Sequence, residues 1–296
     1  MAYMKRLSLL LFILIILQSC RDSHNEKKYF REIEQWQEER IKYLKAEDGW
    51  LNIVGLFWLE EGENTIGTDS SNSIVFPGTG PACIGKIVLK DTIPVFLSDE
   101  NTKITHKGRP VTEIEMKTDL SGNPTLLKTA SYGFFIVKRG NLYGIRLRDY
   151  ESPHIDELDH IEMFPISPDW IVKAKWIPYE DPIYIDVPDA IGMVNKTKIP
   201  GKLEFVIEGE NCELYPIEAG KRLFIIFGDE TSGLETYGGG RFIYSDKPDK
   251  QGNVEIDFNR AYNPPCVFTQ FATCPLPPKE NILQVRITAG EKAVPH

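Results

Sequence analysis

The sequence lacks the signatures of several common classes of protein. It contains neither a Gly-x-Ser-x-Gly elbow nor a His-Glu-x-x-His motif, so neither a serine hydrolase nor a zincin is indicated. It has no excess of positive charge, because 34 lysines and arginines stand against 43 acidic residues and give a net charge of -9. This balance disfavours a role in binding nucleic acid. The alternation of strand and helix patterns that marks βαβ units is also missing.

What the chain does contain is typical of a globular β protein. Apolar residues make up 42% and charged residues 26% of 296 positions, which is enough for a sizeable core and argues against wholesale disorder. The 20 prolines, the 23 glycines and the aromatic content of 11% favour many short strands joined by tight turns. Composition by itself names no reaction.

The N-terminal residues have the pattern of an export signal. Lys5 and Arg6 precede an apolar run over residues 7–17, which is too short for an ordinary spanning helix and suits the hydrophobic region of a signal peptide. The sequence Leu-Gln-Ser-Cys20 then resembles a bacterial lipobox. We therefore predict that residues 1–19 are a lipoprotein signal peptide and that Cys20 carries acyl chains such as palmitate. A signal anchor that happens to contain a cysteine is the alternative.

Cleavage before Cys20 would leave an acidic domain tethered to a membrane. It removes two of the 34 basic residues and no acidic residue, so 32 basic and 43 acidic residues remain, a net charge of −11. We expect the protein in the bacterial cell envelope, facing the periplasm or the cell surface, with the membrane as one partner and a small-molecule ligand as another. We predict no cofactor, and the oligomeric state does not follow from the sequence.

The remaining chain divides into a helix and two β-rich halves. Residues 20–28 are polar and predict a tether, and residues 29–46 have apolar positions at steps of three and four, which predicts an amphipathic helix. Short apolar runs between Gly, Pro, Asn and Asp predict a mainly β, sandwich-like or barrel-like fold. The helix and first half occupy 29–150, a connection 151–170 and the second half 171–296. The predicted strands of the second half include Ile171–Ile177, Ile183–Val187, Lys202–Glu208, Arg222–Phe227, Gly240–Tyr244, Val254–Phe258 and Leu283–Thr288.

One segment of the first half resembles the opening of a forkhead-associated (FHA) β-sandwich. The run Gly62–Gly67 is followed by Asn72–Phe76. FHA domains read phosphothreonine with an arginine after the glycine, whereas Thr68 stands there in this chain. The resemblance therefore implies a scaffold only.

The densest motifs lie near the C-terminus. They are Gly228–Gly233, Thr236–Phe242, Asp257–Thr269 and Ala272–Asn281. These runs resemble the signature of the DUF1684 family, bacterial and archaeal proteins of unknown function. The resemblance extends to Gly49–Leu51, Gly55–Leu59, Arg146–Asp149 and Ala289–Lys292. Val267 stands where the family usually carries alanine. The resemblance brings no established activity.

Polar side chains in these runs are candidates for a ligand site. The ligand-binding candidates are Arg241, Asn259, Arg260 and Asn263, and the catalytic candidates are Asp229, Asp257 and Cys266. Arginine with amide donors suits a carboxylate or sugar-like ligand, and an aspartate could act as general base. The competing interpretation is a structural clamp that holds the loops to their own backbone. No metal site is predicted, because the acids and imidazoles at 154–160 suit a charged surface connection.

Cys266 permits two interpretations. It could be a thiol nucleophile, but no histidine lies between His160 and His296 to lower its pKa. A disulfide between Cys266 and Cys274, or two packed thiols, is the other interpretation, because prolines restrict this loop. We therefore predict an envelope lipoprotein that binds a small polar or anionic ligand through its C-terminal loops. The alternatives are a hydrolase or transferase, and a structural scaffold.

Overall fold

The computed structural model describes residues 25–294. The predicted signal peptide, Cys20 and the first part of the predicted tether lie outside the described residues. Strands dominate the described chain, which confirms the predicted mainly β fold class. No helix between residues 25 and 294 combines the length and the apolar character needed to cross a membrane. Internal contacts separate two units, which we call the sandwich unit and the signature unit.

The sandwich unit contains residues 42–159 and 265–273. Its strands are β1 Ile53–Trp58, β2 Gly62–Gly67, β3 Ile74–Val75, β4 Gly85–Lys90, β5 Ile93–Ser98, β6 Thr105–His106, β7 Arg109–Pro110, β8 Glu113–Glu115, β9 Leu127–Thr129, β10 Tyr132–Arg139 and β11 Leu142–Asp149. One sheet has the order β3-β2-β4-β5-β8, and the other has the order β1-β11-β10-β9-β6-β7. A short helix, α2, follows at His154–Glu157.

The two sheets of the sandwich unit share one hydrophobic core. Ile87 and Phe96 from one sheet and Phe134 and Ile145 from the other are fully buried in it. Successive side chains of a strand point to opposite faces, so Phe135 lies on the face of β10 that is turned away from this core. That outer face carries the cavity described below.

The signature unit contains the described residues up to Ile41, then His160–Pro264, and the chain from Cys274 onward. Its strands are β12 Ile171–Pro188, β13 Val194–Ile207, β14 Glu210–Leu214, β15 Ile217–Ala219, β16 Arg222–Phe227, β17 Arg241–Asp246 and β18 Asn253–Asp257. They form a sheet of order β14-β13-β12-β18 and a sheet of order β15-β16-β17. The runs that we predicted as two strands, from Ile171 and from Ile183, belong to the single strand β12, whose pairing register shifts between Pro178 and Ile183.

The predicted strand at Leu283–Thr288 is wrong. This segment still alternates inward, because Leu283, Val285 and Ile287 are buried in the core of the signature unit. Its backbone, however, bonds to side chains and loops. The amide of Ile287 donates to the Asp229 carboxylate over 2.7 Å, and the carbonyl of Val285 accepts from the amide of Glu230. The alternating pattern therefore predicted correctly which side chains are buried, but it wrongly predicted that the backbone is hydrogen-bonded as a β-strand.

The N-terminal helix, α1, covers residues 25–45. Tyr29, Ile33, Trp36 and Arg40 follow one face of it, and Ile33 is fully buried. The sequence analysis places this helix with the first β-rich half. In the structure, its residues up to Ile41 belong to the signature unit.

Candidate functional site

The structure places the candidate polar residues of the signature unit in three hydrogen-bonded groups. The first contains Asp229, on the loop after β16, and Arg241, the first residue of β17. Their side chains form an ion pair of 3.2 Å with both partners completely buried. Gly240, with φ of +79°, brings the chain so close to the Phe227 carbonyl that an added Cβ would lie 2.6 Å from it. A larger residue there would displace the start of β17 and with it Arg241.

The remaining bonds of this pair go to backbone and loop residues. Arg241 donates to the carbonyl oxygens of Ile287, at 3.0 Å, and Ala289. Thr231 donates its hydroxyl to the Asp229 carboxylate at 2.9 Å. Burial lowers the pKa of Arg241, and Asp229 opposes that shift. The first group therefore has the geometry of a clamp between the 229–236 loop and the C-terminal segment, and neither charged side chain is accessible to a ligand.

The second group joins Asp257, Asn259 and Arg260 to helix α1. The hydroxyl of Tyr29 donates to Asp257 Oδ1 at 2.8 Å and accepts from Asn259 Nδ2 at 2.8 Å. Asn259 also bonds the amide and the carbonyl of Ser167. Arg260 Nε donates to Asp257 Oδ2 at 3.1 Å. Burial, and then the hydrogen bond to Asp257, raise the pKa of Tyr29.

The third group is built around a glutamate that the sequence analysis did not select. Glu291 is 1% exposed, accepts from Arg40 Nε at 3.1 Å and accepts from the amide of Asn263 at 2.7 Å. Asn263 in turn donates its side-chain amide to the carbonyl of Lys292. Burial raises the pKa of Glu291, and the neighbouring Arg40 opposes that shift. Asn263 thus serves the packing of the C-terminal segment.

Cys266 belongs to the sandwich unit, whereas Cys274 belongs to the signature unit. The Cys266 sulfhydryl is half-buried and donates to the carbonyl of Ala272 at 3.7 Å. The nucleophile and the Cys266–Cys274 disulfide both stay predictions.

At the 154–160 segment, the exposed His154 bonds Glu157 at 2.8 Å. In residues 25–294 no three His, Cys, Asp or Glu side chains are grouped to hold a metal ion.

Four cavities are described in the two units, and none is lined by the predicted site residues. Three contain residues of β12: Lys173 and Asn253 line two of them, and Trp170, Val172 and Val206 are among the residues that line the third. The fourth lies in the sandwich unit and has a volume of about 380 Å³. Pockets that hold small molecules have volumes of about 300–1,000 Å³.

We call this fourth cavity the sandwich cleft. Its lining residues are Glu47, Asp48, Pro124, Leu126, Phe135, Arg148 and Tyr150. Four of these are apolar or aromatic, and the others place charge at its edge. Arg148 donates to the carbonyl of Asp48 at 3.1 Å and to Asn52 Oδ1 at 2.6 Å, with further bonds to the Glu47 and Gly49 carbonyls. This guanidinium therefore fixes the 47–52 loop as one wall of the cleft.

Two cations already have partners at the cleft: Arg148, which lines it, and Lys128, which contacts the lining residues Glu47 and Tyr150. The Arg148 guanidinium lies 5.6 Å from the Phe135 ring centroid, and burial lowers its pKa. Lys128 forms an ion pair with Glu47, and its ammonium lies 4.8 Å from the Tyr150 ring centroid. Asp48, by contrast, is exposed and makes no ion pair among the residues of the described chain. The cleft therefore combines aromatic walls with one exposed carboxylate, Asp48, which interacts electrostatically with Arg148 but forms no ion pair within the described chain.

Sequence reasoning missed this cleft. Its residues come from positions 47 to 150 in four separate segments, and no motif joins them. Strand alternation does indicate that Phe135 points away from the neighbouring core residues Phe134 and Ile136, which is a signal that could have been used. Arg148 entered the sequence analysis only as part of a family-like run.

Comparisons with known proteins agree with the C-terminal motifs. The model of the family described as "Protein of unknown function (DUF1684)" matches residues 156–292. A solution NMR structure of an uncharacterised protein from Haloarcula marismortui, gene locus rrnAC0354, is 30% identical, covering 46% of this chain and 78% of that one, with a TM-score of 0.39. A crystal structure of the FhaA FHA domain with the intracellular domain of Rv3910 is 18% identical, covering 31% of this chain and 97% of that one, with a TM-score of 0.20. No curated protein matches the chain. Through residues 156–292, this chain belongs to the DUF1684 family.

Proposed function

We propose that this protein is a lipid-anchored component of the bacterial cell envelope that binds a small molecule in the sandwich cleft. The observation that carries the binding proposal is the combination of volume, aromatic walls and a wall loop fixed by Arg148. A preformed pocket with apolar walls and few polar groups is the ordinary form of a small-molecule site. The signature loops then act as a clamp within the signature unit and not as the binding site.

The chemistry of the cleft favours an apolar or aromatic body that carries a positive charge. Phe135 and Tyr150 provide ring surfaces, and Asp48 provides a carboxylate without an ion-pair partner in the described chain. Cations and aromatic groups both interact favourably with aromatic faces. The net charge of the chain, -9, also attracts cations over long distances. This class replaces the polar or anionic ligand expected from the C-terminal arginines, because Arg241 is fully buried and paired.

Matched probes test the proposal. Ligand-observed NMR would compare 2-phenylethylamine, 2-phenylethanol and phenylacetate, which share a ring and differ in charge. We expect the amine to bind most tightly, and Asp48→Asn to weaken it several-fold. Glu100→Gln, which changes an exposed acid elsewhere in the same unit, should leave binding unchanged. Equal binding of the three probes would refute the assignment. So would the absence of detectable amine binding at probe concentrations up to about 20 mM.

The anchor is tested separately. Metabolic labelling with radioactive palmitate should mark the wild-type chain and not Cys20→Ser, and only the wild type should sediment with membranes. Unlabelled wild-type protein would contradict the lipid anchor. It would not affect the cleft, which is assayed on the soluble chain.

A further inference from the structure

Helix α1 joins the proposed anchor to the signature unit. Only residues 21–24 separate Cys20 from the first described residue of the helix. A stretch of this length reaches about 3.3–3.6 Å per residue at most. If Cys20 is acylated, as proposed above, the helix begins close to the membrane. The contacts of the helix then decide how the anchor is attached to the rest of the protein.

The attachment nearest the anchor is a neutral hydroxyl. Tyr29 bonds Asp257 and Asn259, both at 2.8 Å, these two residues bond each other, and Asn259 also bonds Ser167. Asp257 also caps the short helix Phe258–Arg260 by accepting from the amide of Asn259. If Tyr29 left, this group would keep its internal bonds. The attachment at this end is therefore reversible without loss of the surrounding structure.

The second attachment, eleven residues further along, is of a different kind. Arg40 pairs with the buried Glu291, donates to the carbonyl of Asn263 at 2.8 Å and lies 4.7 Å from the Tyr262 ring centroid. If Arg40 left, Glu291 would remain as a buried carboxylate without its ion-pair partner. Removing the ion-pair partner of the fully buried Glu291 carboxylate costs more than removing an uncharged hydroxyl from the Asp257 carboxylate, which keeps its bonds to Arg260 and Asn259. The two ends of the contact therefore differ in strength.

We propose that helix α1 is a strap that opens from its anchor-proximal end. Displacement of the first turns breaks the Tyr29 bonds, uncovers Asp257 and Asn259, and leaves the Arg40–Glu291 end closed. The polar group that the sequence singled out is then covered by the strap in the closed state and exposed in the open state. Because Arg260 already bonds Asp257, opening presents a paired acid and cation next to the Asn259 amide, which has lost its bond to Tyr29 and keeps those to Asp257 and Ser167. The membrane connection rests on the proposed lipid anchor, whereas the strap itself rests only on these contacts.

Hydrogen–deuterium exchange on the soluble chain from residue 20, carrying Cys20→Ser, tests the order of opening. Tyr29→Phe removes the hydroxyl and should speed exchange in segments 25–33 and 257–261 by about tenfold. Segment 287–292 should change less than about twofold, because Arg40 still holds that end. Arg40→Met should speed exchange in all three segments. Tyr43→Phe, which alters an exposed tyrosine of the same helix, is the control and should change none of them.

Two results would overturn the strap. One is an unchanged exchange rate at 257–261 in Tyr29→Phe, and the other is an equal increase in all three segments, which means that the helix and the unit open together. If Arg40→Met fails to accumulate, Arg40→Lys keeps the charge and loses the forked donors, and the same comparison applies to it. Failure of palmitate labelling would remove the membrane connection and leave these results intact.

Discussion

Substitution of Arg40 by methionine gives the sharpest test of how helix α1 is held. The change keeps most of the apolar stem and removes the charge opposite Glu291, whose side chain is 1% exposed. Removing one partner of a buried ion pair costs about 3–5 kcal/mol, because the other charge stays buried without compensation. The variant also loses the bond to the Asn263 carbonyl and the contact with the Tyr262 ring. We expect the free energy of unfolding of the signature unit to fall by about 3–5 kcal/mol.

The loss should depend on pH in a defined direction. Burial holds the folded-state pKa of Glu291 above its ordinary value, and Arg40 pulls it back. A carboxyl whose folded pKa is raised takes up a proton more readily in the folded state, so its destabilising effect grows as pH rises through its ordinary value towards the folded pKa. Without Arg40 the folded pKa rises further. The deficit of Arg40→Met should therefore be largest at pH 7.5 and become smaller as pH falls towards 5.

Chemical denaturation followed by tryptophan fluorescence and circular dichroism measures these free energies, with the transitions of the two units analysed separately. Arg31→Met is the matched control, because Arg31 is exposed on the same helix, and it should change stability by less than about 0.5 kcal/mol. Adding Glu291→Gln to Arg40→Met should recover part of the loss. A deficit below about 1 kcal/mol, or a deficit that does not change with pH, would refute the buried-pair argument.

Two further predictions concern the clamp and a turn. Asp229→Asn leaves the Arg241 guanidinium buried without its counter-ion, so the free energy of unfolding measured in urea should fall by about 3–5 kcal/mol. Adding Arg241→Met should recover part of this loss. Additive effects in this double-mutant cycle would contradict the clamp. Thr92 has φ of +73° in the two-residue turn between β4 and β5. Thr92→Gly should therefore raise the free energy of unfolding of the sandwich unit by roughly 0.5 kcal/mol, measured as a higher denaturation midpoint. Asp91→Gly should gain less, because aspartate tolerates positive φ better than threonine, and a lower midpoint for Thr92→Gly would count against this reasoning.

The strands could largely be predicted because they depend on local alternation and turn residues. Arg222–Phe227 was predicted with the bounds that the structure has, and most of the predicted run Lys202–Glu208 lies within β13. Leu283–Thr288 failed because alternation reports which side chains are buried and not what the backbone bonds to. There the Asp229 carboxylate accepts the hydrogen bond of the Ile287 amide, and the Glu230 amide donates to the Val285 carbonyl. In a sheet, a neighbouring strand would bond these backbone groups.

The candidate site shows the same division. Sequence could select Asp229, Arg241 and Asp257 as polar residues in a dense motif, but a clamp and a ligand site use the same residue types. Burial distinguishes them, and burial is a property of the packed molecule. Arg241 is completely enclosed, so its charge serves the fold. Glu291 was overlooked because nothing in the local sequence indicates that this glutamate would meet Arg40, 251 positions away.

The sequence by itself determined that this is a mainly β chain with an amphipathic helix and a DUF1684 region, because periodicity, turn residues and motifs are encoded over short distances. Only the tertiary structure decided what the polar residues do. It brought Tyr29 to Asp257 and Arg40 to Glu291, and it built the sandwich cleft from segments far apart in the chain. Such contacts depend on which distant surfaces become buried together, and no local pattern carries that information.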